Sequence, residues 1–426
     1  MEEIISKQNK HWQNQPYEDL HERLITKSLL EKLSLKSIQI LAGVRRCGKS
    51  SIFRIIINEL MRSIDPRQIL YVNLDDPFYS KACKDSKELY TIVETAEKLT
   101  GMKIQYLFLD EIQNVDKWEK FVKSVYDNGT FKKIYITGSN AKLLNDEYIS
   151  RLSGRYLVDF IYPLTFAEKL KWSNIGTDRI NLLNNKPKIL KIFDESLQFG
   201  FFPELLTIKN PDHKRETLIS YYDTILLKDC IICNEIRDIS AFKELASYLL
   251  SNVSSLYSYK KLAEIINSSD KTIKQFISSL VDGYLLNEIS NFSYSRQKQI
   301  KSKKKSYAVD TGLANSIAFS FSANKGQLFE NLILMELYKN GFRDVWYYAG
   351  DKECDFIVQT GTDFYGIQVC YETNKNNMKR EIDGLKNAVA KLKLTSGYII
   401  TYDQEKHISD KITMLPFWKI NCQDMF

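Results

Sequence analysis

The sequence predicts an α/β fold, with a parallel sheet covered by helices on both faces in its first part and helical and mixed regions behind it. Three observations carry this expectation. Apolar runs of strand length alternate with helical stretches over residues 1–162. Two of those runs end in residues suited to phosphate and to a cation. Beyond residue 162 the strand pattern gives way to helices before strands return.

The first strand, 38–41, leads into Gly43-Val44-Arg45-Arg46-Cys47-Gly48-Lys49-Ser50, and Ser51 begins a helical stretch. This is a phosphate-binding P-loop. Its glycines let backbone N–H groups turn inward around a triphosphate, Lys49 reaches the β- and γ-phosphates, and the Ser50 hydroxyl can bind Mg²⁺ at the helix N-terminus. A second strand covers 68–74, and a third, 106–109, ends in Asp110 and Glu111. Adjacent acids at the end of a buried strand need a cation. Asp110 is expected to hold Mg²⁺ through water and Glu111 to polarise an attacking water. A fourth strand, 133–136, ends in Thr137-Gly138-Ser139-Asn140, where Asn140 can position that water or sense the γ-phosphate. Helices are expected at 87–99 and 117–126, and a fifth strand at 156–161.

Just before the fifth strand, Arg151 and Arg155 stand on either side of Leu152-Ser153-Gly154. Arg155, exposed by the glycine before it, is expected as an arginine finger offered to a neighbouring subunit; the alternative is a surface arginine at a helix end.

A net charge of +7 over 426 residues is modest and does not by itself imply nucleic acid. No apolar run approaches a membrane span, and 1–7 lacks the basic-then-apolar order of a secretion signal, so a cytoplasmic location without a membrane partner is expected. Cys230 and Cys233 share a metal-like spacing but lie in an apolar helical stretch with no second pair, and no metal is assigned there.

Residues 163–238 read as a helical lid over a 1–162 core, and 239–310 as a winged helix-turn-helix with helices at 259–266 and 271–280. Its wing, between strands at 285–289 and 306–309, carries Arg296, Lys298, Lys301, Lys303, Lys304 and Lys305. A basic hairpin tip suits the phosphates of double-stranded DNA, although winged helices also bind protein partners and Lys-rich tips are often merely solvated.

The region 320–426 reads as helix, strand, strand, strand, helix, strand, with Glu330 on the first helix, Asp355 opening a strand and Gln368 and Cys370 ending the next. That order resembles the PD-(D/E)XK restriction-endonuclease-like core, which holds Mg²⁺ with an Asp and a Glu and places a Lys beside the scissile phosphate. Here Gln368 stands for the acid and Cys370 for the lysine, so nuclease activity is not expected unless a neighbouring base such as Lys352 or Lys375 substitutes.

With GVRRCGKS, FLDEIQ, ITGSN, LSGRY, FGFFPE, YAVDTGL, ECDFIVQ and IQVCYE, the chain resembles prokaryotic AAA-type ATPases with a C-terminal domain of unknown function. The resemblance implies a cytoplasmic ATPase using ATP and Mg²⁺, able to form homo-oligomers. It leaves three functions open: coupling of nucleotide state to DNA, a nucleotide-dependent protein-interaction switch, and an ATP-dependent nuclease.

Overall fold

The computed structural model describes residues 1–144, 151–318, 325–371 and 375–420, the side chains of 82, 83, 142 and 375–377 excepted. The chain divides into two compact units, Met1–Tyr162 with Asp282–Tyr284, and Pro163–Val281 with Leu285–Phe426.

The first unit is built on five parallel strands, β1 (Ile38–Ala42), β2 (Ile69–Asn73), β3 (Tyr106–Asp110), β4 (Lys133–Gly138) and β5 (Tyr156–Phe160), in the order β2-β3-β4-β1-β5. Every residue of β1 and β4 is buried, as in a sheet covered on both faces. Because β4 lies between β1 and β3, their C-terminal ends meet at one edge, with Ala42 opposite Gly138 and Leu109 opposite Ile136. The helix Lys49–Leu60 buries Ile52, Phe53, Ile56, Ile57 and Leu60, one face of an amphipathic helix. Its Phe53 ring meets Phe108 of β3 edge-on at 5.1 Å, and Phe108 stacks on Tyr135 of β4 at 4.8 Å. Truncating such a ring costs about 3–5 kcal/mol, so this cluster pins the helix to the strands whose ends it faces.

Sequence reasoning assigned no element to the N-terminus, which forms the helix Glu2–Gln8. Asn9 follows it and imitates a neighbouring strand: its Nδ2 donates to the Tyr71 carbonyl at 2.9 Å and its Oδ1 accepts the Tyr71 N–H at 2.7 Å. The side chain thereby caps the open edge of β2.

In the second unit, helices of 163–238 pack with C-terminal elements. Phe193 of helix Lys186–Phe199 lies 5.2 Å from Phe329 and 5.1 Å from Phe417, ring to ring. Two of the quoted motifs meet here. Asp310 of YAVDTGL accepts the N–H of Phe201 in FGFFPE at 2.7 Å and those of Gly312 and Leu313 at 2.9 and 3.3 Å, capping the helix Thr311–Ile317. Gly200, at φ 72°, leaves room for that carboxylate, since an added Cβ would fall 1.8 Å from Asp310 Oδ1.

A three-stranded antiparallel sheet, β6 (Leu256–Tyr257), β7 (Leu286–Ser290) and β8 (Lys304–Ala308), runs in the order β6-β8-β7, with helices Tyr259–Ile266 and Asp270–Asp282 between β6 and β7. The connection from β7 to β8 holds a short helix, Arg296–Lys301, and β8 begins earlier than the expected 306. A six-stranded mixed sheet completes the unit: β9 (Val345–Ala349), β10 (Glu353–Thr360), β11 (Asp363–Cys370), β12 (Ser396–Thr401), β13 (Lys406–Ser409) and β14 (Ile412–Pro416), ordered β13-β14-β12-β11-β10-β9. Helix Lys375–Leu392 joins the parallel pair β11 and β12, and its Leu385 packs where Gly366 and Gly397 carry no side chain. The last two strands lay beyond the elements expected from sequence. Among the described residues no helix is long and apolar enough to cross a membrane.

Candidate functional site

The phosphate loop Gly43–Gly48 runs from β1 to the helix Lys49–Leu60, and two glycines make its path possible. At Gly43 an added Cβ would fall 2.0 Å from the Ile161 carbonyl oxygen, and Gly48 sits at φ 101° as the helix N-cap. Lys49 is buried, its ammonium donating to the carbonyls of Gly43 at 2.9 Å and Val44 at 3.2 Å and lying 3.7 Å from Glu111. Arg23, given no role by sequence reasoning, braces the loop from behind by donating to the carbonyls of Cys47 at 2.8 Å and Tyr162 at 2.9 Å. Cys47 is buried, and burial raises its thiol above the ordinary range, so it is packing rather than a nucleophile.

Asp110 and Glu111 face this loop from the end of β3, and one residue of β4 organises both. The Thr137 hydroxyl donates to Asp110 Oδ1 at 2.5 Å and accepts the Glu111 N–H at 2.9 Å. Tyr71 of β2 donates to the other Asp110 oxygen at 2.7 Å, and the Ser50 hydroxyl also bonds the carboxylate. Burial, followed by the neighbouring Glu111, holds the Asp110 carboxyl above its ordinary range. A buried carboxylate beside a hydroxyl is a hard oxygen donor pair, which fits Mg²⁺.

Burial pushes the Glu111 carboxyl up as well, but Lys49, Arg45 and the Gln113 and Ser139 side chains outweigh it and hold it below the ordinary carboxylate range. Its backbone is left-handed at φ 55°, an uncommon conformation for a residue with a side chain, and Gln113 donates to its Oε2 at 2.5 Å. Gln113 also donates to Ser139 at 3.1 Å, tying the acid to the end of β4. Asn140, the residue expected to position the water or sense the γ-phosphate, is buried just past the end of this strand, and Thr137 within the strand touches both acids. Thr137 and Gln113 stood inside quoted motifs, and only the strand register shows that their side chains converge.

Arg155 lies at the other end of the sheet. Its carbonyl accepts the N–H of Ile38, where β1 begins, and its guanidinium pairs with Asp127 at 2.7 Å. Within one chain it therefore stands a strand's length from the phosphate loop.

The C-terminal sheet carries a second site, a cleft of about 1090 Å³ that contains Glu330, Asp355, Gln368 and Cys370. The structure corrects one assignment here. Lys305 was expected on an exposed wing tip, but it is a buried residue of β8, 3.1 Å from Glu330 and 2.7 Å from Glu353. Lys304, also in β8, bends back to the Gln299 carbonyl, leaving Arg296, Lys298, Lys301 and Lys303 as the exposed cations of the connection. Glu381 on the following helix, unassigned from sequence, accepts a bond from Gln368 at 2.5 Å and pairs with Arg380 at 2.6 Å. Lys352, one candidate substitute base, instead pairs with Asp383 at 3.1 Å; the Lys375 side chain lies outside the described residues.

A five-stranded parallel sheet whose P-loop strand and acid-bearing strand flank a polar-ended third defines a P-loop ATPase core, and the AAA domain family matches residues 35–170. A domain of unknown function (DUF8612) matches 190–324, and another (DUF4143) matches 325–420. The chain belongs to the family of the uncharacterized protein MJ1544 of Methanocaldococcus jannaschii, with which it shares 35% identity over 93% of this chain and 91% of the relative. An uncharacterized protein of Haemophilus influenzae is 29% identical over 85% of this chain and 89% of its own length. Among solved structures, the Aeropyrum pernix Orc1 protein in complex with DNA aligns with a TM-score of 0.30 at 13% identity, over 68% of this chain and 90% of that one. AMPPCP-bound DnaA from Aquifex aeolicus aligns with a TM-score of 0.27 at 19% identity, over 60% and 86%.

Proposed function

We propose that this protein is a Mg²⁺-dependent ATPase that couples its nucleotide state to double-stranded DNA through the segment 239–310, read as a winged helix. The observation that carries the ATPase reading is the convergence of Lys49, Ser50, Asp110, Thr137 and Glu111 at one sheet edge. Bound ATP and Mg²⁺ would supply the phosphoanhydride and the charge that activates it. Residues 43–51 would cradle the phosphates, with Lys49 turning from the loop carbonyls to the γ-phosphate. Ser50 and Asp110 would hold the cation, and Glu111, kept anionic by Lys49 and Arg45, would orient and deprotonate a water. Asn140 would contact that water or the γ-phosphate, and Arg155 would act on the site of a second copy in a homo-oligomer.

The DNA reading rests on Arg296, Lys298, Lys301 and Lys303, all exposed on one short connection. The domain limits proposed are 1–162, 163–238, 239–310 and 320–426, the last a restriction-endonuclease-like module without cleavage activity. The experiment is the ATPase rate with and without double-stranded DNA. Stimulation that disappears when Arg296, Lys298, Lys301 and Lys303 are changed to Ser supports the coupling, whereas hydrolysis indifferent to DNA favours a protein-interaction switch. Loss of the DNA itself, abolished by Asp355→Ala, would establish a nuclease.

A further inference from the structure

The C-terminal cleft poses a charge problem. Asp355 is buried in it and Glu330 half-buried, and their carboxyl groups are held above the ordinary range first by desolvation and then, for Asp355, by Glu330 itself. Carboxylates gathered in this way are neutralised by a proton or a cation, and in a site of this order a divalent metal is the obvious cation.

The chain already provides a charge of its own. The Lys305 ammonium lies 3.1 Å from Glu330 and 2.7 Å from Glu353, attracts Asp355, and has the Tyr347 ring 5.7 Å away on another side. Glu330 and Asp355 each also accept a further hydrogen bond. Tyr307 donates to Glu330 at 2.7 Å, and the Val369 N–H donates to Asp355 at 2.8 Å. Gln368, where an anionic ligand would be needed, uses its amide nitrogen on Glu381 and turns its oxygen to the Asp355 N–H. Among the described residues no group of three or more His, Cys, Asp or Glu has the geometry to hold a metal ion.

We infer that Lys305 is a built-in counter-ion: its ammonium stands among Glu330, Glu353 and Asp355 in place of a divalent cation, so the cleft keeps its carboxylates without metal. A single ammonium that pairs with Glu330 and Glu353 and attracts Asp355 compensates part of their charge, but it does not turn a bound water into hydroxide near neutral pH as a divalent metal can. The cleft is thus organised for binding rather than for metal-assisted hydrolysis.

The test is Mn²⁺ titration of the full chain without nucleotide, followed by the paramagnetic signal of free Mn²⁺ and by melting temperature. The wild type is expected to show no Mn²⁺ site that Asp355→Asn removes. Lys305→Met leaves the acids uncompensated and is expected to gain one such site, with a Mn²⁺-dependent rise in melting temperature, and to lose both when Asp355→Asn is added. Lys305→Arg keeps the charge and should behave as wild type. A wild-type Mn²⁺ site abolished by Asp355→Asn would overturn the inference, as would a folded Lys305→Met variant that gains none. If Lys305→Met does not fold, the comparison of wild type with Asp355→Asn decides. Because nucleotide is absent throughout, the outcome is independent of the ATPase reading.

Discussion

Thr137 bonds both acids of the phosphate edge and Gln113 only one of them, and that asymmetry predicts a specific failure. Gln113 touches Glu111 but not Asp110, so Gln113→Ala is expected to lower kcat about 10-fold through misorientation, with the KM for ATP little changed. Glu111→Gln removes the proposed base and should lower kcat by about 10²–10⁴-fold while nucleotide still binds. Lys49→Ala should instead abolish tight binding. Steady-state kinetics with equilibrium nucleotide binding separates the three, and equal loss of affinity in all would refute the assigned roles. Asp110 behaves oppositely to Glu111 in linkage. Its carboxyl is raised in the folded protein, so the fold holds that proton more tightly than the unfolded chain does, and stability falls as pH climbs through the ordinary carboxylate range. Asp110→Asn is therefore expected to raise the melting temperature of the nucleotide-free protein at neutral pH while removing the Mg²⁺ dependence of nucleotide binding. A lower melting temperature would count against the raised carboxyl, and an unchanged Mg²⁺ dependence against the cation role.

Between elements, the joint of Asp310 with Gly200 and Phe201 is an exacting contact of the second unit. Gly200→Ala would force a Cβ into the Asp310 carboxylate from a left-handed backbone, and a loss of about 2–3 kcal/mol or more in urea unfolding is expected. Gly101, also left-handed but with nothing within 4 Å, should lose only about 1 kcal/mol on the same change. The Lys169 ammonium donates to the Gly200 carbonyl at 2.9 Å, and burial, opposed by Asp310, lowers its pKa to about 7. For a lysine lowered in the fold, the unfolded chain binds the extra proton between about pH 7 and the ordinary lysine range near 10, so stability should rise with pH across that window. Lys169→Met should flatten that slope in pH-dependent melts. The strands of the first unit were legible because each is an apolar run, and some are closed by a residue with a task, such as Asp110 after Leu107-Phe108-Leu109. Strand β13, Lys406-His407-Ile408-Ser409, has no apolar alternation and gave no such sign. Lys305 was illegible for another reason: it lies in a run of lysines resembling a solvated tip, and its partner Glu330 is 25 residues away, a separation that sequence spacing does not reveal.

At the scale of the whole chain, two compact units and one nucleotide site predict uneven thermal behaviour. Scanning calorimetry should resolve two transitions, of which ATP with Mg²⁺ raises one, and Lys49→Ala should remove that rise while leaving the other in place. Mixing inactive Arg155→Ala with inactive Glu111→Gln protein should restore part of the ATPase activity if Arg155 acts in a second copy. No recovery in demonstrated mixed oligomers would exclude that role. The Asp310 joint also sets a clock during synthesis. The five strands of the first unit are all made by Phe160, but the partner of Phe201 arrives 109 residues after it. At ribosomal speeds of about 5–20 residues per second, the helices after Pro163 wait on the order of 5–20 s for that carboxylate. Nascent chains arrested near residue 250 should accordingly be cleaved by protease in 163–238 while the sheet ahead of them resists, making the interval one in which a chaperone has most to protect.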